Sequence, residues 1–499
     1  MSVQCPVLIL KLVSIGCRFT CKHGNCRIDG THDRYCSHFL GEATILSMIP
    51  HILKCASIAL VFSCVYVCAG QTASDSTAPG KKIDVFGSGA IEAGEIEDGH
   101  YGGNVNAEIQ HLWIGHVYAD LGVKARLNEH FSALVSLESR IWYNTSPLDA
   151  VRDNSTFGDP MQNFDITITN AEGILSFGKR DVAELTIGIG RFEYKYNPQS
   201  QDLGEYMFRT GCYPAYIETN FDLPLARLNG LLLSFKLFDF LRLDLIMNTM
   251  SDIEPYYNWN GTFIADATVG KVFDVGAGVQ CDDLIPVDQK NDMQTSVHDY
   301  STNGYLTAPG DTGYYTFQGT KLMFRFMFDP KRFFDVPLFG ENDGQLYFET
   351  AILGLENYPR SNAIDTNNLC NSYGYDKIFQ KMPVMFGVNV PTFRQLDVLS
   401  VEGEWFGSRY PDSYKPYLDG LSSTPSSLGA NETSYDYTHD DWKWAIYGKK
   451  TICGGLSFIG LVGRDHLRTE TYIKLYQDYE EALIRNSAWY WMLKVKYSF

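Results

Sequence analysis

A chain of 499 residues has room for two or three globular domains or one large closed sheet. Its formal charge of −18 argues against a nucleic-acid partner. Charged residues are sparse at 20%, yet mean hydropathy is near neutral and Tyr and Phe number 31 and 30, which fits a sheet with an apolar outside and a wet inside.

Residues 1–47 differ in composition from the rest of the chain, with Cys5, Cys17, Cys21, Cys26 and Cys36 beside His23, His32 and His38. Cys17-x3-Cys21-x4-Cys26 has a superficial zinc-ligand look. The plainer reading is a spurious upstream extension with the true start at Met48, because a folded zinc module ahead of a secretion signal makes little cellular sense. Met48 to Lys54, the apolar run Cys55 to Ala69, and the small pair Ala69-Gly70 together read as a signal peptide over 48–70. The residues before Cys68 make a poor lipobox. Residues 71–80 form a polar linker, and 81–499 remain for one folded body. Beyond residue 70 no apolar run reaches the roughly 18 residues of a helical span.

From residue 82 the pattern is a period of two. The first strand, Lys82 to Ala93, is imperfect and glycine-rich. In the second, Val117, Ala119, Leu121, Val123 and Ala125 alternate with Tyr118, Asp120, Gly122, Lys124 and Arg126. After a turn at 128–130, Phe131, Ala133, Val135 and Leu137 alternate with Ser132, Ser136, Glu138 and Arg140, so the two form an antiparallel hairpin. Similar strands are predicted over 164–177, 183–189, 231–237, 241–247, 262–269, 272–281, 321–328, 345–355, 382–390, 396–406, 442–450, 456–465 and 489–499. Connections alternate between long (94–110, 144–163, 196–225 and five others) and short (128–130, 178–182, 238–240 and their successors), with 329–344 a longer exception. Sorting loops by parity is a property of an up-and-down barrel, which leaves no unpaired edge in lipid. The predicted fold is an all-β, transmembrane antiparallel barrel of about sixteen strands, or fourteen to eighteen if weak segments are misread. Trp442, Trp444, Trp489 and Trp491 fall where an interfacial aromatic girdle is expected.

The final strand has the sharpest pattern. Trp489, Trp491, Leu493, Val495, Tyr497 and Phe499 alternate with Tyr490, Met492, Lys494, Lys496 and Ser498. An aromatic and apolar residue at every second position up to a carboxyl-terminal Phe resembles the assembly signal of Gram-negative outer-membrane barrels, which the barrel-assembly machinery reads. With sixteen strands and long outer loops, residues 80–499 resemble the general and substrate-selective porins.

If the apolar parity faces outer-membrane lipid, the opposite parity lines the channel: Lys124, Arg126, Glu138, Arg140, Lys236, Arg242 and Arg325, with Lys494 and Lys496. Arg191, after the glycines of 187–190, breaks the parity and is expected to mark a bulge aimed inward. The porin resemblance implies that the third outer loop, about 196–225, folds into the lumen. It offers Asp202, Glu205 and Arg209, and by analogy Asp202 and Glu205 would face wall arginines such as Arg140, Arg191 or Arg242. Small hydrophilic solutes and ions would then cross passively, with no cofactor, and a homotrimer is a possible assembly.

Two other readings compete. An outer-rim hydrolase would use His439-Asp440-Asp441 and Asp465-His466, which a hairpin brings together, although neither Gly-x-Ser-x-Gly nor His-Glu-x-x-His is present and rim ion pairs are the favoured explanation. A structural or adhesive barrel would use the long aromatic loops and the Ser/Thr-rich tract at 420–431 for display. Cys212 and Cys370 lie in predicted outer loops, where pairing is open.

Overall fold

The computed structural model describes residues 82–499 apart from 101–107, 143–163, 209–225, 250–257, 286–318, 356–381, 406–411, 414–425, 428–441 and 468–481, and positions 180–181, 271, 334–336, 354 and 484. The expected upstream extension, signal peptide and linker, Cys212, Cys370, Arg209 and His439 to Asp441 therefore lie outside the described residues.

Sixteen staves form one sheet. They are β1 (Lys82–His100), β2 (Glu108–Ile114 and His116–Arg126, interrupted at Gly115), β3 (Phe131–Trp142), β4 (Phe164–Lys179) and β5 (Ala183–Tyr194). Next come β6 (Ala226–Leu237), β7 (Leu241–Thr249), β8 (Trp259–Val269), β9 (Phe273–Ile285), β10 (Gly319–Phe328) and β11 (Leu346–Ile352). The last are β12 (Val384–Asn389), β13 (Val398–Trp405), β14 (Trp442–Thr451), β15 (Leu456–Arg464) and β16 (Trp489–Ser498). Each pairs antiparallel with its sequence neighbour, and β16 returns to β1 with Ser88 opposite Ser498 and Ile91 opposite Val495. The sheet is a closed barrel. Among the described residues no helix is long and apolar enough to cross a membrane.

Closure follows from the chemistry of the two faces. Leu493 is 58% exposed on the outside and Lys494, its neighbour, is fully buried on the inside. The same inversion holds along β1 to β9, where Ile83, Val135, Leu137, Ile166, Ile168, Leu245 and Phe263 are exposed while Glu92, Glu138, Arg140 and Asp244 are buried. A soluble sheet does the reverse. Apolar groups outward and polar groups inward is the arrangement that lipid selects, with every backbone donor paired along the closed ladder.

The short turns and both ends of the sheet share one rim. There Asn128 Oδ1 accepts the backbone N–H groups of His130 and Phe131, and the terminal Phe499 exchanges two backbone bonds with Gly87 at 3.0 and 3.2 Å. Exposed aromatic residues mark both rims. Trp113, Trp442, Trp444 and Trp489 are exposed at the long-connection end, and Phe238, Phe240, Phe333, Phe393 and Phe458 at the short-turn end.

Two boundaries differ from the sequence expectation. The connection expected over 94–110 shrinks to the stretch between His100 and Glu108, because Gly94 to Asp98 continues pairing with both β2 and β16. Its glycine and acidic residues look like a loop in sequence, but an extended pair satisfies their backbone equally well. Arg191 is not a bulge in the β4–β5 ladder. Pairing runs in unbroken register to Ala171 opposite Arg191 and stops there, where β5 leaves β4; the irregularity lies instead between Ser136 and Leu137 on β3.

Candidate functional site

The site begins where β5 leaves the wall. Residues 195–208, the described part of the third long connection, do not lie over the rim. Their backbone binds carboxylates on β11 and β13. In a sixteen-stave ring β13 stands eight positions from β5, so the segment crosses the full bore to the opposite wall.

Three glutamates anchor it. Glu402 of β13 accepts the backbone N–H of Gln201 (2.6 Å), Asp202 (3.0 Å) and Leu203 (2.8 Å). Glu349 of β11 accepts those of Glu205 (3.0 Å) and Tyr206 (2.9 Å), with the Tyr196 hydroxyl and the Asn197 amide at 2.6 Å each. Glu404 accepts the Tyr206 hydroxyl at 2.7 Å and faces His466 Nε2 at 2.6 Å. All three are at most 1% exposed. Buried carboxylates need this many partners, and charge-assisted bonds to peptide N–H groups are among the stronger ones available.

Why the chain accepts that path is local. Tyr196, Leu203, Tyr206, Met207 and Phe208 are buried and share one apolar cluster with Met323, Tyr347, Ala351 and Met385 of the far wall. Gly204 has φ +90°, and a Cβ there would lie 2.8 Å from Met385 Cε and 2.9 Å from Glu349 Oε2. Only glycine combines that dihedral with that approach. Tyr347 adds a hydroxyl bonded to Glu402 at 2.7 Å and to Ser400.

The expected loop residues take different roles from the expected ones. Glu205, 1% exposed, folds back to accept the backbone N–H of Asn197 (2.6 Å) and Tyr196 (3.4 Å), so it braces its own segment. Asp202 meets Glu402 through its backbone.

The wall arginines pair with neighbouring carboxylates. Arg140 contacts Glu138, which also receives Arg227 at 3.3 Å. Arg242 meets Asp244 at 2.8 Å, and Arg325 meets Asp266 at 2.7 Å. Arg191 Nε donates to the Ile168 carbonyl at 2.6 Å and its Nη1 to the Asn229 amide oxygen at 3.2 Å. Lys124 and Arg126 are exposed towards the short-turn end, and Lys236 pairs with Asp239 at 2.8 Å. Lys494 is ion-paired with Glu92 at 2.5 Å and lies 4.5 Å above the Tyr118 ring.

Space remains on the short-turn side of the crossing segment. A polar cavity of about 560 Å³ lies beneath it, lined in part by Gln199, Asp329, Lys331, Gln345, Asn389 and Lys449. A second of about 330 Å³ adjoins Glu184, Thr186, Ser234, Lys236 and Arg242. Glu349, Glu92, Arg227 and Asp266 escaped sequence reasoning. Glu349 was findable, because Tyr347 and Glu349 alternate with Leu346 and Phe348; Glu92 was hidden in the glycine-rich first strand.

The rim pair proposed for hydrolysis is not a rim pair in its described half. His466 is buried against Glu404, which also holds Tyr206 of the crossing segment, and Asp465 accepts the Tyr490 hydroxyl and the Leu467 N–H.

A closed sixteen-stave barrel, apolar outside and crossed within by a loop, has a recognisable form. Its architecture is porin-like. No family model matches the sequence, and no curated protein matches it. Among solved structures the chain is similar to Salmonella typhi OmpF in complex with daunomycin (12% identity, TM-score 0.41, covering 84% of this chain and 98% of that one). It is also similar to Pseudomonas putida OprB at high pH (11%, 0.43, 84% and 94%) and to an engineered Rh. blastica porin (8%, 0.38, 84% and 100%). These are likenesses of barrel form alone.

Proposed function

We propose that this chain is an outer-membrane porin, a water-filled channel through which ions and small hydrophilic solutes diffuse passively. The observation that carries the reading is segment 195–208, anchored on Glu349 and Glu402 across the bore from the strand it leaves. A barrel built only for display or assembly has no use for a backbone strut through its centre. A channel does, because the strut sets the largest solute that passes.

On this reading the short turns and both ends of the sheet are periplasmic, residues 48–70 direct export, and the strand ending at Phe499 through Trp491, Leu493, Val495 and Tyr497 addresses the barrel-assembly machinery. Arg140, Arg227, Arg242 and Arg325, with their carboxylate neighbours, line the passage and grade it by charge. Outer-membrane lipid surrounds the apolar face, and a homotrimer is the assembly the resemblance implies. The reading is of a passive channel and gives the site no catalytic role.

The test is single-channel recording of the refolded chain in planar bilayers, with a salt gradient to read selectivity. Stable ohmic steps with a defined cation or anion preference support the porin. A correctly folded barrel that stays electrically silent sinks it.

A further inference from the structure

On the outside of the barrel, at the long-connection end, three ligating side chains converge. Glu95 and Glu97 of β1 share the parity of the exposed Ile83 and Val85, while Ile96 between them is fully buried on the lumen side. Glu95 lies opposite Trp113 of β2 and Trp491 of β16, the girdle residues of that rim. One step further out, Glu97 falls opposite His111, between the paired positions Ile96–Leu112 and Asp98–Gln110. His111 has φ +54°, and its Nδ1 stands 3.1 Å from Glu95 Oε1 and 3.2 Å from Glu97 Oε2. Trp491 Nε1–H donates to the other oxygen of Glu97 at 3.1 Å, fixing that carboxylate and leaving Oε2 for the cluster.

Two carboxylates on the membrane-facing side of a barrel, level with its tryptophans, are expensive unless their charge is balanced. One divalent cation balances both. The two His111 Nδ1-to-carboxylate spacings suit it, since atoms bound to a common metal at roughly 2.1 Å stand roughly 3.0–3.4 Å apart in octahedral or tetrahedral geometry. All three ligand atoms lie within 4.8 Å of one another. One imidazole nitrogen with two carboxylate oxygens favours Zn²⁺ or Mn²⁺ over the all-oxygen preference of Ca²⁺ and Mg²⁺. The Trp491 bond supplies the orienting second contact that metal-binding carboxylates usually have.

We propose that Glu95, Glu97 and His111 form a divalent-cation site on the outer face of the barrel, at the level of Trp113 and Trp491. The alternative occupant is a proton, which would leave an imidazolium held between two carboxylates. A metal ion displaces that proton and binding then releases it.

The experiment is Zn²⁺ titration of the refolded full chain in detergent, read by calorimetry, by proton release in weak buffer, and by tryptophan quenching with Co²⁺. The expected result is saturable binding with Co²⁺ quenching that Zn²⁺ reverses. Glu97→Gln and His111→Asn should each weaken that component by roughly tenfold or more, while the barrel stays folded and its conductance is unchanged. His130→Asn, in a short turn at the other rim, should leave it intact. The cysteines and histidines of residues 1–47 are identical in every protein compared, so they cancel from the difference. Equal Zn²⁺ binding and equal Co²⁺ quenching in the parent, Glu97→Gln and His111→Asn proteins would overturn the site, as would a parent with no saturable quenching.

Discussion

Along β3 to β10, arginines lie beside carboxylates of the same wall: Arg140 and Arg227 on Glu138, Arg242 on Asp244, Arg325 on Asp266. Along β11 and β13, Glu349 and Glu402 receive peptide N–H and phenol groups from a segment that has crossed the bore. The first arrangement sets side-chain charges in ion pairs along the wall, several of them buried and so only weakly screened by salt. The second fixes main chain in place with donors that neither titrate nor swing away. On the proposed porin reading, the first wall would grade solutes by charge and the second would hold the part that grades them by size.

The largest effect should come from releasing the strut. In Glu402→Ala the N–H groups of Gln201, Asp202 and Leu203 lose their acceptor. Each unsatisfied buried donor costs roughly 1–3 kcal/mol, enough to undock the segment. Liposome swelling should then show several-fold faster entry of solutes near the parent's size limit. An unchanged limit would mean that the wall and not the segment sets the bore.

Gly204→Val strikes the same joint from the loop side. A β-branched residue at φ +90°, with its Cβ 2.8 Å from Met385, should cost about 1–3 kcal/mol in backbone strain alone. Protease cleavage within 195–208 should rise in the folded barrel, whereas a protected segment would show that the glycine is dispensable.

A third prediction concerns the short-turn rim. Asp343 takes the N–H groups of Gly340, Thr392 and Phe393 and the Thr392 hydroxyl, and Asp397 takes the Thr451 N–H with Lys450 near. Partial burial pushes both carboxyls up, but these donors outweigh it and hold them below the usual aspartate range. A depressed folded pKa gives stabilisation that is complete above the ordinary aspartate value of about 3.9 and is lost as pH falls through the lower folded value. Asp343→Asn should therefore destabilise the barrel by about 1–2 kcal/mol at neutral pH and flatten the acid limb of its unfolding profile. An acid limb identical to the parent's would remove Asp343 from that account.

The smallest effect is on selectivity. A unit charge about 8 Å from a passing ion contributes about 0.5 kcal/mol in a water-like lumen, so Arg140→Gln should move the cation-to-anion permeability ratio towards cations by roughly twofold. Reversal potentials read this directly, and raised salt should shrink the difference.

Much of this was legible in the chain. A two-residue period survives any tertiary context, because a strand between lipid and lumen has no third option for its side chains. Leu493 outward and Lys494 inward could thus be assigned from spacing alone. The crossing segment has no such period. Its register is set by Glu349 and Glu402, more than 140 residues away, and by a glycine whose dihedral has no sequence signature beyond its identity. Loop order points to the 196–225 connection but carries no information on partners: burial beside Tyr196 and Asn197 makes the segment's own N–H groups donors to Glu205. Glu95 and Glu97 are hidden for a related reason, since their glycine-rich, acidic stretch reads as part of the 94–110 connection.

The most direct measurement compares single-channel conductance of the parent and the Glu349→Ala/Glu402→Ala protein under identical salt and voltage. With 195–208 as the strut that narrows the lumen, the parent gives stable ohmic steps and the double variant gives larger, noisier ones. Equal conductance in two well-folded barrels would contradict the account, because a segment that can be released without consequence is not the constriction.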